Sequence, residues 1–297
     1  MTKMRIILLA GICLVLAACY AEAADELVIY RGDLAGNQYK LSVGSWGSGT
    51  CEQVESVRYS GPGSLKILTH GFYSGARLDF GKTLDLTALF GKPNTYLELW
   101  LRPSQTATAT GTETAAASRF TAMTQLRVVL YTPRGQISID PAPLRPGTQD
   151  RDWWRIDLPL HAFQPRRLIE LTTPVSVTAP LTVTRMLIFG DNPELFYLGE
   201  LKVVTDAQAI RATAYAWPEE GYRGSLITFI AEVEPGAATT KVVWDFDSGD
   251  GVQEEAVGER IQHIYYRVGS YKISYKVVDV NGQKAPVTGT FTVRITQ

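Results

Sequence analysis

Tyr96, Glu98, Trp100 and Arg102 stand two apart in YLELWLR, and together they carry the two chemistries that hold a sugar. A flat ring offers a stacking surface, and charged forks hydrogen-bond hydroxyls in pairs. Side chains alternate along an extended chain, so these four share one face, with Leu97, Leu99 and Leu101 on the other. The pattern recurs. In LRVVLY, Arg127 and Tyr131 oppose Leu126, Val128 and Leu130. In ARLDF, Arg77 and Asp79 oppose Ala76, Leu78 and Phe80, and in WWRIDL, Trp153, Arg155 and Asp157 oppose Trp154, Ile156 and Leu158. If these strands share a sheet, one face of it carries aromatic rings among hydrogen-bonding charges, as a glycan cleft requires. A plain solvated face alternates in the same way. Trp100 fits that alternative least, because a large ring is an unusual solvent-facing choice.

A second cluster is WDFDSGDG, residues 244–251, in which Asp245, Asp247 and Asp250 set oxygen ligands at the close spacing a calcium ion uses. Ala256 occupies the twelfth position of the loop, where an EF-hand needs Glu, so that motif is absent. The other reading is a turn: Gly accepts positive φ, and Asp bonds its own backbone. Three histidines without His/Cys pairing argue against zinc. Phosphate-binding loops, Gly-x-Ser-x-Gly elbows and dinucleotide fingerprints are missing. Two carboxylates meeting across a cleft would make a glycosidase, so a polysaccharide-active enzyme is a further alternative, although residues 25–205 are few for many such enzymes. The chain is read as non-catalytic and without a cofactor, calcium at the acidic loop being the alternative.

The elements that must position these residues are strands. The 297 residues allow two domains. A net charge of -1 gives no field for nucleic acid, so none is expected as a partner. Residues 25–205 run through short alternating segments bounded by Gly, Pro, Asn or Asp, at 27–30, 64–69, 76–80, 96–102, 126–131, 136–139, 153–158, 183–189 and 195–204. Without intervening amphipathic helices they predict a β-sandwich or jelly roll, with one helical turn at 85–90. The Thr- and Ala-rich stretch from Ser104 to Gln125 reads as a long loop. Residues 206–297 hold further strands at the size of an immunoglobulin-like domain.

The first 23 residues read as an export signal: Lys3 and Arg5, then an apolar stretch from Ile6 to Ala18 that is too short to span a membrane. Leu16-Ala17-Ala18-Cys19 is similar to a bacterial lipobox, which implies cleavage before Cys19 and acylation of its thiol. Ala21-Glu22-Ala23 offers ordinary cleavage instead. Either way the protein is expected to be exported to the cell envelope, touching membrane only through a lipid anchor. Cys51 alone remains in the mature fold, so no internal disulfide can form, and it reads as a small buried hydrophobe.

Two resemblances sharpen this. WDFDSGDG, then His263-Ile264-Tyr265, Gly269-Ser270-Tyr271, Val277-Val278-Asp279 and Asn281-Gly282, resemble the polycystic kidney disease (PKD) domain over residues 206–297. The loop is longer than the family's by about two residues, Asp247 and Ser248. The resemblance implies an immunoglobulin-like sandwich serving as spacer or interaction module. More loosely, GPGSLKI (61–67), the 85–103 segment, DWWRIDLPLHAF (152–163), VTRMLIFG (183–190) and LFYLGELKV (195–203) resemble the jelly-roll or galactose-binding-like modules of carbohydrate-active enzymes. Gly199 stands where such modules often have Asp, which removes a carried-over ligand role there. The implied partner is a polysaccharide or glycan; a structural or adhesive protein contacting other envelope proteins is the alternative.

Overall fold

The computed structural model describes residues 25–104, 120–133, 135–144, 149–165, 181–249, 251 and 253–297. The export signal with Cys19, Asp250 of the acidic loop and residues 105–119 of the Thr-rich stretch lie outside the described residues.

The first body is a two-sheet sandwich. Its strands in chain order are β1 (Asp25–Tyr30), β2 (Leu41–Trp46), β3 (Thr50–Val54), β4 (Ser64–His70), β5 (Gly75–Asp85), β6 (Thr95–Pro103), β7 (Gln125–Thr132), β8 (Gly135–Pro143), β9 (Gln149–Asp150), β10 (Trp153–Pro159), β11 (Gln164–Pro165), β12 (Thr182–Gly190) and β13 (Pro193–Thr205). A single helical turn, α1 (Thr87–Phe90), follows β5. One sheet runs β3-β4-β13-β6-β10-β9, with β1 also on β13; the other runs β11-β8-β7-β12-β5-β2. Leu97, Leu99 and Leu101 of the first sheet and Leu126, Val128, Leu130, Leu78, Met186 and Ile188 of the second are buried together between them. The apolar half of each alternating segment thus makes the core, because only that face can leave water without unpaired polar groups. Cys51 joins this core, and burial pushes its thiol up to about 12.

The second body is a smaller sandwich with its own core. It comprises β14 (Arg211–Trp217), β15 (Glu220–Tyr222), β16 (Leu226–Glu234), β17 (Thr240–Asp245), β18 (Ala256–Val257), β19 (Arg260–Ile264), β20 (Gly269–Asp279) and β21 (Val287–Thr296). A β14-β16-β19 sheet faces a β15-β21-β20-β17-β18 sheet. Trp244 is fully buried, edge-on to Phe229 at 5.8 Å, and its indole N–H donates to the Gly258 carbonyl over 2.7 Å.

The bodies meet at a small junction. Tyr96 and Val204 of the first pack on Ala237 of the second. The Asn94 N–H donates to Gln283 Oε1 at 3.1 Å, and the Asp206 N–H donates back to the Asn94 carbonyl at 2.8 Å. Lys284 Nζ, almost wholly buried, donates to Asp206 Oδ2 at 2.7 Å, fixing the exit of β13 against the loops of the second body.

Candidate functional site

The charged and aromatic residues singled out by alternation do not share one sheet. Tyr96, Glu98, Trp100 and Arg102 lie on β6, where Trp100 pairs with Arg155 and Glu98 with Asp157 of β10, the strand that also carries Trp153. Arg77 and Asp79 on β5, and Arg127 and Tyr131 on β7, belong to the opposite sheet. The two sets point away from each other, on the two outer faces of the sandwich. The correction has a topological cause. β6 reaches β10 and β13, whereas β7 reaches β12, and these long-range pairings leave no trace in local periodicity.

The outer face of the first sheet is closed over. Tyr59, from the turn-rich segment between β3 and β4, stacks on Trp100 at 4.6 Å and 20° and leans on Trp153 at 5.2 Å. Trp100 is therefore only 8% exposed, and its N–H donates to Glu98 Oε1 at 2.7 Å. The ring that fitted solvent least is covered after all, by a neighbour without a readable strand pattern. Gly199 makes the cover fit, since a Cβ there would lie 2.4 Å from the Tyr59 Cβ and 2.7 Å from the Trp153 ring. It sits at a bulge in β13. Beneath the cover Lys202 Nζ stands 3.2 Å from Glu98 and 3.6 Å from Glu200. Burial lowers its affinity for a proton, but Glu98, Glu200 and Glu26 together hold the ammonium above its ordinary value. Asp157 is pushed up from 3.8 to about 8 by burial, opposed by Arg155 and reinforced by Glu98. Arg155 donates through Nε to Asp157 at 2.9 Å and through Nη2 to the Gly236 carbonyl of the second body. This face is thus a packed seam between cover, sheet and junction.

The outer face of the second sheet is open at its charged groups. Register sets Tyr131, Arg185, Asp79 and Ser42 in one cross-strand row on β7, β12, β5 and β2. The next row holds Val129, Leu187, Arg77 and Gly44, and the third Arg127, Phe189, Gly75 and Trp46. Val129, Leu187 and Phe189 form a buried apolar floor, flanked by Trp46 and Tyr131. Above it Arg185 Nε meets Asp79 Oδ1 at 2.5 Å, and Arg77 Nε stands 2.9 Å from Asp79 Oδ2. The Arg185 guanidinium also lies 5.7 Å from the Trp46 ring centre and 5.6 Å from that of Tyr131, within cation–π range of both. Gly44 leaves room for Arg77 to lie across β2, a Cβ there coming within 3.0 Å of its Nη2. At the rim Arg127 Nη1 donates to the Phe72 carbonyl at 3.1 Å, and its guanidinium sits 4.8 Å from the ring centre of Tyr73, which is 64% exposed. That arginine ties down the β4–β5 turn and holds Tyr73 at the rim of the face.

Three members of this face were missed by periodicity. Trp46 ends LSVGSW, which alternates Ser42, Gly44 and Trp46 against Leu41 and Val43; it is not among the strands read from the sequence, its alternation being broken by the glycines at 44 and 47. Arg185 lies in VTRMLIFG, where apolar residues on both faces hide which side is outer. Tyr73 sits on a turn, where no periodicity exists. The signal in LSVGSW was nevertheless there, since alternation over six residues is enough to mark a strand.

The acidic loop of the second body is knotted by its own amides. Asp245 Oδ1 accepts the Asp247 N–H and Oδ2 the Gln253 N–H, each at 3.0 Å. Asp247 Oδ1 accepts the Gly249 N–H at 3.4 Å. Both oxygens of the buried Asp245 thus act as backbone acceptors in a turn. Among the described residues no group of three His, Cys, Asp or Glu side chains is placed to hold a metal ion.

Residues 212–290 match the family model of the PKD domain. No curated protein matches the chain in sequence. Among solved structures, a glycoside hydrolase domain, Endo-D from Streptococcus pneumoniae, is 14% identical over 85% of this chain at a TM-score of 0.31; the chain spans only 37% of that one. A family 30 carbohydrate-binding module of Clostridium thermocellum is 10% identical, covering 62% of this chain and 99% of the module at a TM-score of 0.35. The PKD1 domain of Vibrio anguillarum Epp is 22% identical, covering 31% of this chain and all 100% of that domain at a TM-score of 0.24. At these TM-scores the likenesses decide nothing about a ligand, and function rests on the geometry of the site.

Proposed function

We propose that the chain is an exported, non-catalytic carbohydrate-binding protein of the cell envelope, held there by a lipid on Cys19. Its first sandwich takes a glycan on the outer face of the second sheet, and its second sandwich serves as spacer or contact module. The observation that carries the binding reading is the setting of Arg185. Its guanidinium lies near two aromatic rings and on one carboxylate, over an apolar floor, with its side chain still 35% exposed. Sugars need flat apolar area and hydrogen-bonding groups held in advance of binding; the half-buried Trp46 and Tyr131 rings offer the first and the arginines the second. The spacer role is supported by the PKD match and by Trp217, Tyr222 and Tyr266, which stand exposed where strand ends meet far from the junction.

A glycan panel tests the binding. The protein should retain at least one polysaccharide, and Trp46→Ala should weaken that binding by about tenfold, the worth of a stacking ring at a partly exposed site. Binding that survives Trp46→Ala unchanged would place the site elsewhere.

A further inference from the structure

We infer that the glycan recognised on the second sheet is acidic, a polysaccharide whose uronic acid carboxylates are gripped by Arg77 and Arg185. This rests on the carbohydrate reading of that face and narrows it to a ligand class. Arg77 and Arg185 share the single carboxylate of Asp79, one oxygen each, so the trio carries one net positive charge. Both arginines meet Asp79 through Nε. Among the described residues nothing takes up their terminal nitrogens, which fit a carboxylate's paired oxygens, and the side chains are 38% and 35% exposed.

A neutral sugar hydroxyl both donates and accepts, so a site tuned to neutral glycans needs free acceptors as well as donors. Here Asp79, the acceptor at the centre, is held at ion-pair distance by both arginines, with Arg185 Nε hydrogen-bonded to one oxygen and Arg77 Nε left without a hydrogen-bond partner among the described residues. The face therefore offers N–H groups in excess, and a ligand that only accepts, a carboxylate, matches it. Trp46 and Tyr131 hold the Arg185 fork in place, so little order has to be created on binding. The apolar floor beneath lowers the local polarity and strengthens the contact. Uronate polymers carry such groups at regular spacing along a chain of stackable rings, which suits one arginine pair flanked by Trp46 and Tyr131.

The test is a titration of the full chain with polygalacturonate, polymannuronate and polyglucuronate, each beside its carboxyl-reduced counterpart, which keeps the linkages and loses the charge. At least one acidic polymer should bind about tenfold or more tightly than its reduced form, and that preference should shrink as salt rises from ~20 to ~200 mM. Arg185→Ala and Arg77→Ala should erase the preference. Arg185→Lys, which keeps the charge but not the fork, should retain part of it. Melting curves of each variant confirm that it is folded. Reduced polymers binding as well as acidic ones, or binding confined to neutral glycans, would overturn the inference and leave the carbohydrate reading standing. Failure of every polymer in both forms and of the neutral panel would overturn both.

Discussion

Asp157 shows what burial does to a single group. Its carboxyl holds a proton up to about pH 8, because the seam between sheet and second body withdraws it from water more than Arg155 compensates. An unfolded chain loses that proton near its ordinary 3.8. Between those values folding takes up a proton, so this group's contribution to stability falls as pH rises and levels off above about 8. Asp157→Asn, which mimics the neutral carboxyl, should therefore gain on the wild type in melting temperature between pH 5 and pH 8. Paired thermal melts would show it, and a gap that stays constant with pH would contradict it. The same scale explains why Trp100 and Trp46 were misjudged. Trp100 alternates in plain view yet lies under Tyr59, whereas Trp46 is the ring on the arginine face and sits between glycines. Periodicity reports the side of a strand, and what covers that side is decided by distant segments.

The strands themselves were legible. Segments such as 96–102 and 126–131 alternate cleanly, and their leucine and valine faces form the core. Their partners were not legible, because register joins strands tens of residues apart: β6 lies between β10 and β13, and β12 between β5 and β7. One sheet face imagined from four segments became two faces with opposite fates. The segment from 55 to 63 is the element that separates them, for it closes the first sheet by stacking Tyr59 on Trp100. Gly199→Ala tests that cover. The added methyl has no room against Tyr59 and Trp153, and overpacking of this kind costs about 1–3 kcal/mol. Denaturant unfolding should show the loss, with glycan binding on the other sheet retained; an unchanged midpoint would mean that the cover does not pack as described.

At the scale of the molecule, two independent cores meet through a narrow waist. β1 and β13 pair at Asp25 and Thr205, so the start of the described chain and the exit to the second body lie together there. The face proposed to take a glycan lies on the other sheet, away from this waist, and the exposed aromatics of the second body lie at its far end. Such an arrangement suits a binding head carried on a spacer. In WDFDSGDG the roles of Trp244 and Asp245 were legible, since Trp244 fills the core and Asp245 knots the turn. The arginine face of the second sheet was legible in the residue types of β5 and β7 but not in its assembly. Calorimetric titration of the protein with its best glycan, comparing Arg185→Ala on the second sheet with Arg102→Ala on the first, tests that assembly directly. The account predicts that Arg185→Ala loses most of the affinity and that Arg102→Ala binds as the wild type does. Loss of affinity in Arg102→Ala with retention in Arg185→Ala would contradict it.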